Sequence, residues 1–398
     1  MVRRAAKIPF SLELITEGKA KIWIPKRANT LPSHLPVFYN PIMELNRDVA
    51  VLALQVFQRD LDHKLDVCEP LAGCGVRGVR IALEVEGIGR IFLNDINEKA
   101  TVLAEKNTKK NDVEKLVSAN NLDANSFLSQ HARPRERFDY VDIDPFGSPA
   151  PYLDSAVRAV RNKGMIALTA TDMAPLCGVH PRACIRKYGG KPLRTEYCHE
   201  LAVRLLAGCL ASTTARHDIG VRIAFCHSTD HYIRVYAVID YGAQKADNSL
   251  KEMGFVLHCF ECFHRETVPG IFTRLGRECP ECHGKLSIAG PLWLGKIFDR
   301  DFVARMQKEL SKKGMKQAKR IGKLLFSAEN EADSPATYYV IDKVCDRYEL
   351  RAPTTKDVVK QLEKAGYPTV LTHFHRRGIK TVAPARTIKE IITNVAHV

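Results

Sequence analysis

The sequence predicts an α/β protein, a doubly wound sheet followed by a smaller, basic α+β region. Three observations predict it. Between residues 65 and 171 short β-rich apolar runs alternate with helix-length stretches. A glycine-rich turn separates the first run from the first helix. Beyond Gly254 the alternation gives way to paired cysteines and a surplus of lysine and arginine.

Leu12 to Ile15 and Ala20 to Ile24 flank Glu17-Gly18 as a hairpin, and a helix begins at Pro41. Leu65 to Cys68 is the first sheet strand, with a helix running to about Gly87. Arg90 to Leu93 is the second strand, followed by a helix from Asn97 to the lysines near 110. Leu116 to Ala119, Phe138 to Ile143 and Gly164 to Thr169 complete five strands. A helix over Thr195 to Ala215 precedes two apolar strands, Gly220 to Cys226 and Tyr232 to Ile239, with no helix-length segment between them. A basic helix follows over Asp301 to Lys313, and Ala336 to Val398 alternates helices with short strands. Five parallel strands closed by a hairpin-like pair resemble the class I methyltransferases, a Rossmann-like, seven-stranded fold. The expected division is a domain over 1–248 and a basic domain over 249–398, with a cysteine module at 255–290.

Of the 398 residues 45% are hydrophobic and 26% charged, so each domain can bury a core. No run of 18 apolar residues occurs, and Met1-Val2-Arg3-Arg4 leads into no apolar stretch, so neither a membrane span nor export is expected. The twelve cysteines then belong to a reducing, cytoplasmic setting rather than a disulfide scaffold. Net charge is +15, of which residues 285–398, with 22 basic and 12 acidic side chains, supply +10. Such a field suits a polyanionic partner; a merely solvated basic surface is the alternative.

Gly73, Gly75 and Gly78 lie in the turn Glu69-Pro70-Leu71-Ala72-Gly73-Cys74-Gly75-Val76-Arg77-Gly78, with dinucleotide-type spacing. Glycines there allow positive φ and let an adenosine-bearing ligand approach the backbone. Asp95 ends the second strand, where a carboxylate accepts from ribose hydroxyls. Glu69 and Pro70 suit a cationic amino-acid group better than a pyrophosphate, which favours S-adenosylmethionine over NAD.

Asp142-Ile143-Asp144-Pro145-Phe146-Gly147 lies at the carboxyl end of the fourth strand, where open α/β sheets bind ligands. Asp-Pro-aromatic at that place resembles the motif of methyltransferases acting on exocyclic base amines. An aryl amine is a weak nucleophile because its lone pair is delocalised. Asp144 and the Pro145 carbonyl, accepting its two N–H bonds, would draw the nitrogen toward tetrahedral geometry while Phe146 stacks on the base. A proline-terminated strand with a capping aspartate is the alternative.

Phe38-Tyr39-Asn40-Pro41, Asn46-Arg47-Asp48, Gly75 to Gly78, Asn94-Asp95, Leu122-Asp123-Ala124, Asp142 to Pro149, Thr169 to Asp172, Cys177-Gly178 and Tyr188 to Pro192 together resemble the tRNA (guanine-N2) dimethyltransferase family, which modifies guanine 26. The resemblance covers nearly the whole chain. It implies that Arg47 and Arg77 contact the carboxylate region of S-adenosylmethionine, that Asp95 holds the ribose, and that Asp123 and the Ala124 backbone read the adenine edge. It further implies that Asp144 is the catalytic carboxylate, that Phe38 and Phe146 sandwich a flipped guanine, and that tRNA is the partner. Three other readings stand beside it: methylation of another exocyclic amine such as adenine N6, a zinc-ribbon RNA-binding protein without catalysis, and an NAD enzyme. A monomer is the working expectation.

Cys259 and Cys262, then sixteen residues, then Cys279 and Cys282 have the spacing of a four-thiolate structural zinc site. Zinc there would aid folding or tRNA docking without touching the methyl transfer. His258, His264 and His283 nearby are expected at the surface. The other cysteines, Cys74 and Cys177 among them, are expected to be small packing residues.

Overall fold

The protein was analysed as a computed structural model that describes residues 8–26 and 35–396. The basic start, Met1 to Arg4, lies outside them. Strands β1 (Leu12–Glu17) and β2 (Ala20–Pro25) form the expected hairpin, with Glu17 opposite Ala20. Gly18 turns it at φ +54°, and a Cβ there would meet a Glu84 carboxylate oxygen at 2.3 Å, so a side chain would strain the backbone and displace the Glu84–Arg80 pair. The helix expected from Pro41 is a 3-10 turn, Pro41–Met43, leading into helix Glu44–Gln58. That helix is buried from Leu45 to Phe57 without a break, including Asn46, Arg47 and Asp48, so its polar side chains need partners inside the protein.

Seven strands build the main sheet: β3 (Leu65–Glu69), β4 (Ile88–Asn94), β5 (Val117–Asn120), β6 (Phe138–Ile143), β7 (Val160–Ala170), β8 (Ile219–Thr229) and β9 (Tyr232–Tyr241), in the order β5-β4-β3-β6-β7-β9-β8. Strand β3 pairs in parallel with β4 on one side and β6 on the other. The order therefore reverses at β3, opening the crevice in which such sheets bind ligands. Every residue of β3 is buried, as a central parallel strand requires. Strands β8 and β9 are antiparallel around Asp230-His231, with Asp230 at φ +53°. All the expected sheet strands are present; β6 has the expected bounds, and the others differ at one or both ends, β7 starting at Val160.

The chain divides into two compact units: 1–145 with 152–168 and 304–323, and 146–151 with 169–303 and 324–398. These interleave, whereas the sequence reading places a single boundary near 248. The second unit carries β10 (Met253–Cys259), β11 (Arg265–Pro269) and β12 (Leu286–Trp293) in the order β11-β10-β12. It also holds β13 (Tyr339–Val340), β14 (Thr369–Leu371) and β15 (Gly378–Thr381), whose surrounding helices share a core of Ile341, Val358, Leu362, Ile379, Ile388 and Ile392. The expected basic helix spans Arg300–Leu310, and a separate helix, Ala318–Glu331, follows it.

Candidate active site and metal centre

The glycine turn follows β3, and Gly75 is the N-cap of helix Val76–Glu84. Gly73 and Gly75 sit at φ +55° and +74°. A Cβ on Gly75 would lie 2.9 Å from Leu93 and 3.0 Å from Ala104, so packing as well as torsion requires glycine. The Phe38 carbonyl stands 3.4 Å from where a Gly73 Cβ would be, which places the segment carrying Phe38 against this turn.

Asp95, just past β4, accepts from the Gly73 amide at 2.8 Å through Oδ2 and from the Asn97 amide at 2.9 Å through Oδ1. Burial raises its pKa more than these two donors lower it. Each oxygen keeps a lone pair for a further donor. Asn94, whose role the sequence reading left open, joins the loops: its amide nitrogen donates to the Pro70 and Leu122 carbonyls, both at 3.0 Å, and its oxygen accepts from the Leu122 amide at 3.1 Å. Asp123 caps helix Ala124–Gln130, accepting from the Ser126 amide at 2.9 Å, and Ala124 is buried. Ile96 is 68% exposed beside Asp95, an apolar surface the sequence reading missed.

At the end of β6, Asp144 Oδ2 accepts from Arg77 Nη2, and 22% of the Asp144 side chain is exposed. Arg77 Nη1 donates to Asn46 Oδ1 at 2.8 Å, and its Nε lies 3.6 Å from Asp142. Arg47 donates through Nε and Nη2 to Glu17 at 2.5 and 2.6 Å, and through Nη2 to the Asn40 carbonyl at 3.1 Å. Both arginines that the resemblance assigns to the cofactor thus face protein carboxylates. Glu17 also accepts from Arg80 at 3.1 Å and from the Tyr39 hydroxyl at 2.9 Å. No spacing rule links Glu17 to Arg47 or Arg80, and the sequence reading missed this buried cluster.

Pro145 is buried, and Phe146 exposes 70% of its surface. Gly147, at φ +77°, is held by Thr171: its amide donates to Thr171 Oγ1 at 2.8 Å and its carbonyl accepts from the Thr171 amide at 2.9 Å. Burial pushes the Cys74 thiol up to about 12, which keeps it a neutral packing group.

The four module sulfurs lie within 4.8 Å of one another, with Cys259–Cys282 at 3.4 Å and Cys262–Cys279 at 3.5 Å. The two knuckles match: the residue after each second cysteine, Phe263 and His283, is left-handed at φ +63° and +60°. The Phe263 and His283 amides donate back to the Cys259 and Cys279 carbonyls at 3.0 and 2.9 Å. Four converging thiols about one tetrahedral edge apart fit zinc, for which that edge is about 3.8 Å. Of the three histidines expected at the surface, His283 is exposed, His264 is largely buried beside Glu281, and His258 departs furthest. His258, on β10, is fully buried and packs against Tyr197, because successive strand residues face opposite sides and Cys259 takes the knuckle side.

Residues 18–393 match the profile of a family described as N2,N2-dimethylguanosine tRNA methyltransferase. The chain is 42% identical over 387 residues to the tRNA (guanine(26)-N(2))-dimethyltransferase of Methanobrevibacter smithii, covering 97% of this chain and 98% of that one. It is 36% identical to the Aquifex aeolicus protein named for guanines 26 and 27, covering 93% of each. Among solved structures, Trm1 from Pyrococcus horikoshii in complex with S-adenosyl-L-methionine superposes with a TM-score of 0.86 at 34% identity, over 96% of this chain and all of that one.

Proposed function

Because the chain belongs to the N2,N2-dimethylguanosine tRNA methyltransferase family, we propose that it transfers methyl groups from S-adenosylmethionine to the exocyclic N2 of guanine 26 in tRNA. The products are N2-methyl- and N2,N2-dimethylguanosine. The observation that carries this reading is the placement of Gly73, Asp95 and Asp144 after β3, β4 and β6, three neighbouring parallel strands.

S-adenosylmethionine, when bound, supplies a methyl group on a sulfonium, which is already electrophilic. Asp95 accepts from the ribose hydroxyls with the lone pairs its backbone donors leave over. Asp123 and the Ala124 amide read the adenine edge, and Ile96 covers an adenine face. Asp144 and the Pro145 carbonyl accept the two N2–H bonds of guanine and aim the nitrogen lone pair. Asp144 is also the group placed to take the proton that the methylated nitrogen sheds. Arg77, donating to Oδ2, orients the Asp144 carboxylate. Phe146 stacks on the base. Cys259, Cys262, Cys279 and Cys282 hold one zinc ion in a structural role, with no position open for substrate.

Incubating the purified enzyme with labelled cofactor and a tRNA transcript, then identifying nucleosides by mass spectrometry, tests the reading. N2-methylguanosine should form first, the dimethylated product later, and neither on a transcript with adenine at position 26. A folded, cofactor-binding enzyme that leaves guanine 26 unmodified would overturn it.

A further inference from the structure

We propose that Cys177, Cys198 and His199 form a second zinc site, separate from the four-cysteine module, which clips residue 177 to the start of helix Cys198–Ala215. Sequence spacing gives no hint of it, since the two cysteines belong to no Cys-x-x-Cys pair. Folding brings the two sulfurs and an imidazole nitrogen within 4.8 Å of one another. A tetrahedral site with one nitrogen and two sulfur ligands needs edges of about 3.5 to 3.8 Å, so small side-chain rotations close it. Among the described residues, this group and the four-cysteine module are the two clusters of soft ligands so arranged.

Three further observations point the same way. The His199 imidazole lies beside the Phe374 backbone, where an outer contact could fix its ring orientation as in metal-bound histidines. Cys198 and His199 open an 18-residue helix whose N-cap, Tyr197, makes no side-chain capping bond. The dipole of that first turn favours a thiolate sulfur. The Tyr338 hydroxyl, in a residue 1% exposed, has no hydrogen-bond partner, and Glu200 and the two thiols are among the groups whose charge it would feel. A disulfide between the cysteines would use neither the histidine nor this hydroxyl, and the third ligand is what favours a metal.

The clip has a mechanical consequence. Cys177 directly follows helix Met173–Leu176, which begins two residues after Thr171, the residue that grips Gly147. Between the clipped residues lies Tyr188, whose hydroxyl donates to Asp172 at 2.5 Å. A metal at 177 and 198 therefore steadies the segment that holds the Phe146-Gly147 end of the substrate motif. Its loss should act on base handling before cofactor binding.

Native mass spectrometry of the full-length enzyme with excess zinc should show two ions per chain, and Cys198→Ser should show one. If Cys198→Ser fails to fold, alkylation mapping of the wild-type enzyme decides: Cys177 and Cys198 should be protected when zinc-loaded and modified after chelation. His199→Gln keeps both thiols, so it should lower affinity for the second ion at least about tenfold. One zinc per wild-type chain, a Cys177–Cys198 disulfide in the unreduced enzyme, or undiminished second-ion affinity in His199→Gln would each overturn the proposal.

Discussion

Asp95 and Glu17 are both carboxylates drawn out of water, and their surroundings differ in kind. Asp95 has two backbone amides and no cation, one donor for each oxygen. Glu17 has four donors, two for each oxygen, from Arg47, Arg80 and Tyr39. Burial raises both pKa values; at Asp95 it prevails, whereas at Glu17 the two guanidinium groups outweigh it and the pKa is lowered. The difference separates a binding position from a structural one. Glu17 is saturated and has nothing left to offer a ligand. Asp95 retains half its acceptor capacity, which a ribose diol can fill.

The largest expected effect is therefore on stability. Glu17→Ala leaves the Arg47 guanidinium buried without its counter-ion and should cost about 3–5 kcal/mol, read as a fall in denaturation midpoint. Asp144→Ala should slow methyl transfer by at least about 100-fold while the cofactor Kd stays within a few-fold, because the residue serves the base. Asp95→Ala should raise that Kd about 10- to 100-fold, or about 1.4–2.8 kcal/mol, with little change in midpoint. If Glu17→Ala weakened cofactor binding as much as Asp95→Ala and left stability intact, the distinction between saturated and open carboxylates would fail.

Acid should separate the two positions without mutation. A carboxylate with a raised pKa takes its proton above the ordinary aspartate range, so as pH falls Asp95 loses acceptor strength early and cofactor affinity drops. Its own contribution to folding has the opposite sign, since ionised Asp95 is destabilising and protonation relieves that. Glu17, lowered below the ordinary glutamate value of 4.5, contributes stability that is fully present above that value and lost only as pH falls through its folded pKa. Calorimetric titration beside thermal denaturation from pH 7 to 4 should show affinity failing before the fold. Coincident loss would break the comparison.

The same contrast explains what was legible in the sequence. The glycine turn, Asp95 and the Asp144 motif stand at the ends of strands whose apolar runs are local, and a contact made within one βα turn leaves a local signature. The cysteine module was legible because metal chemistry fixes its spacing. The Glu17–Arg47–Arg80 cluster is assembled across 30 and 63 residues, and Cys177 meets Cys198 only because a helical segment folds back between them. His258 was misplaced for a related reason: strand alternation sends it inward, while its neighbours in sequence are knuckle residues. The 304–323 segment falls in a region that composition marks as C-terminal, yet it groups with the first unit. No periodicity carries that information.

The smallest expected effect concerns that segment, where committed and open charges again lie side by side. Arg305 is paired with Asp60, Lys313 donates to the Glu84 carbonyl, and Lys316 lies 3.7 Å from Glu44. These charges are compensated within the unit. Lys319 and Lys323 are exposed and have no ion-pair partner among the described residues, so their fields are available to phosphate. Lys319→Glu with Lys323→Glu should raise the KM for tRNA about threefold to tenfold and flatten its salt dependence by about one to two in log–log slope, leaving cofactor affinity unchanged. Arg305→Glu, by contrast, should lower stability by up to about 1 kcal/mol, the usual worth of an exposed pair, and leave the salt slope alone. A slope that moved with Arg305 and not with the two lysines would show that tRNA reads the compensated charges, and availability would no longer distinguish a docking residue from a structural one.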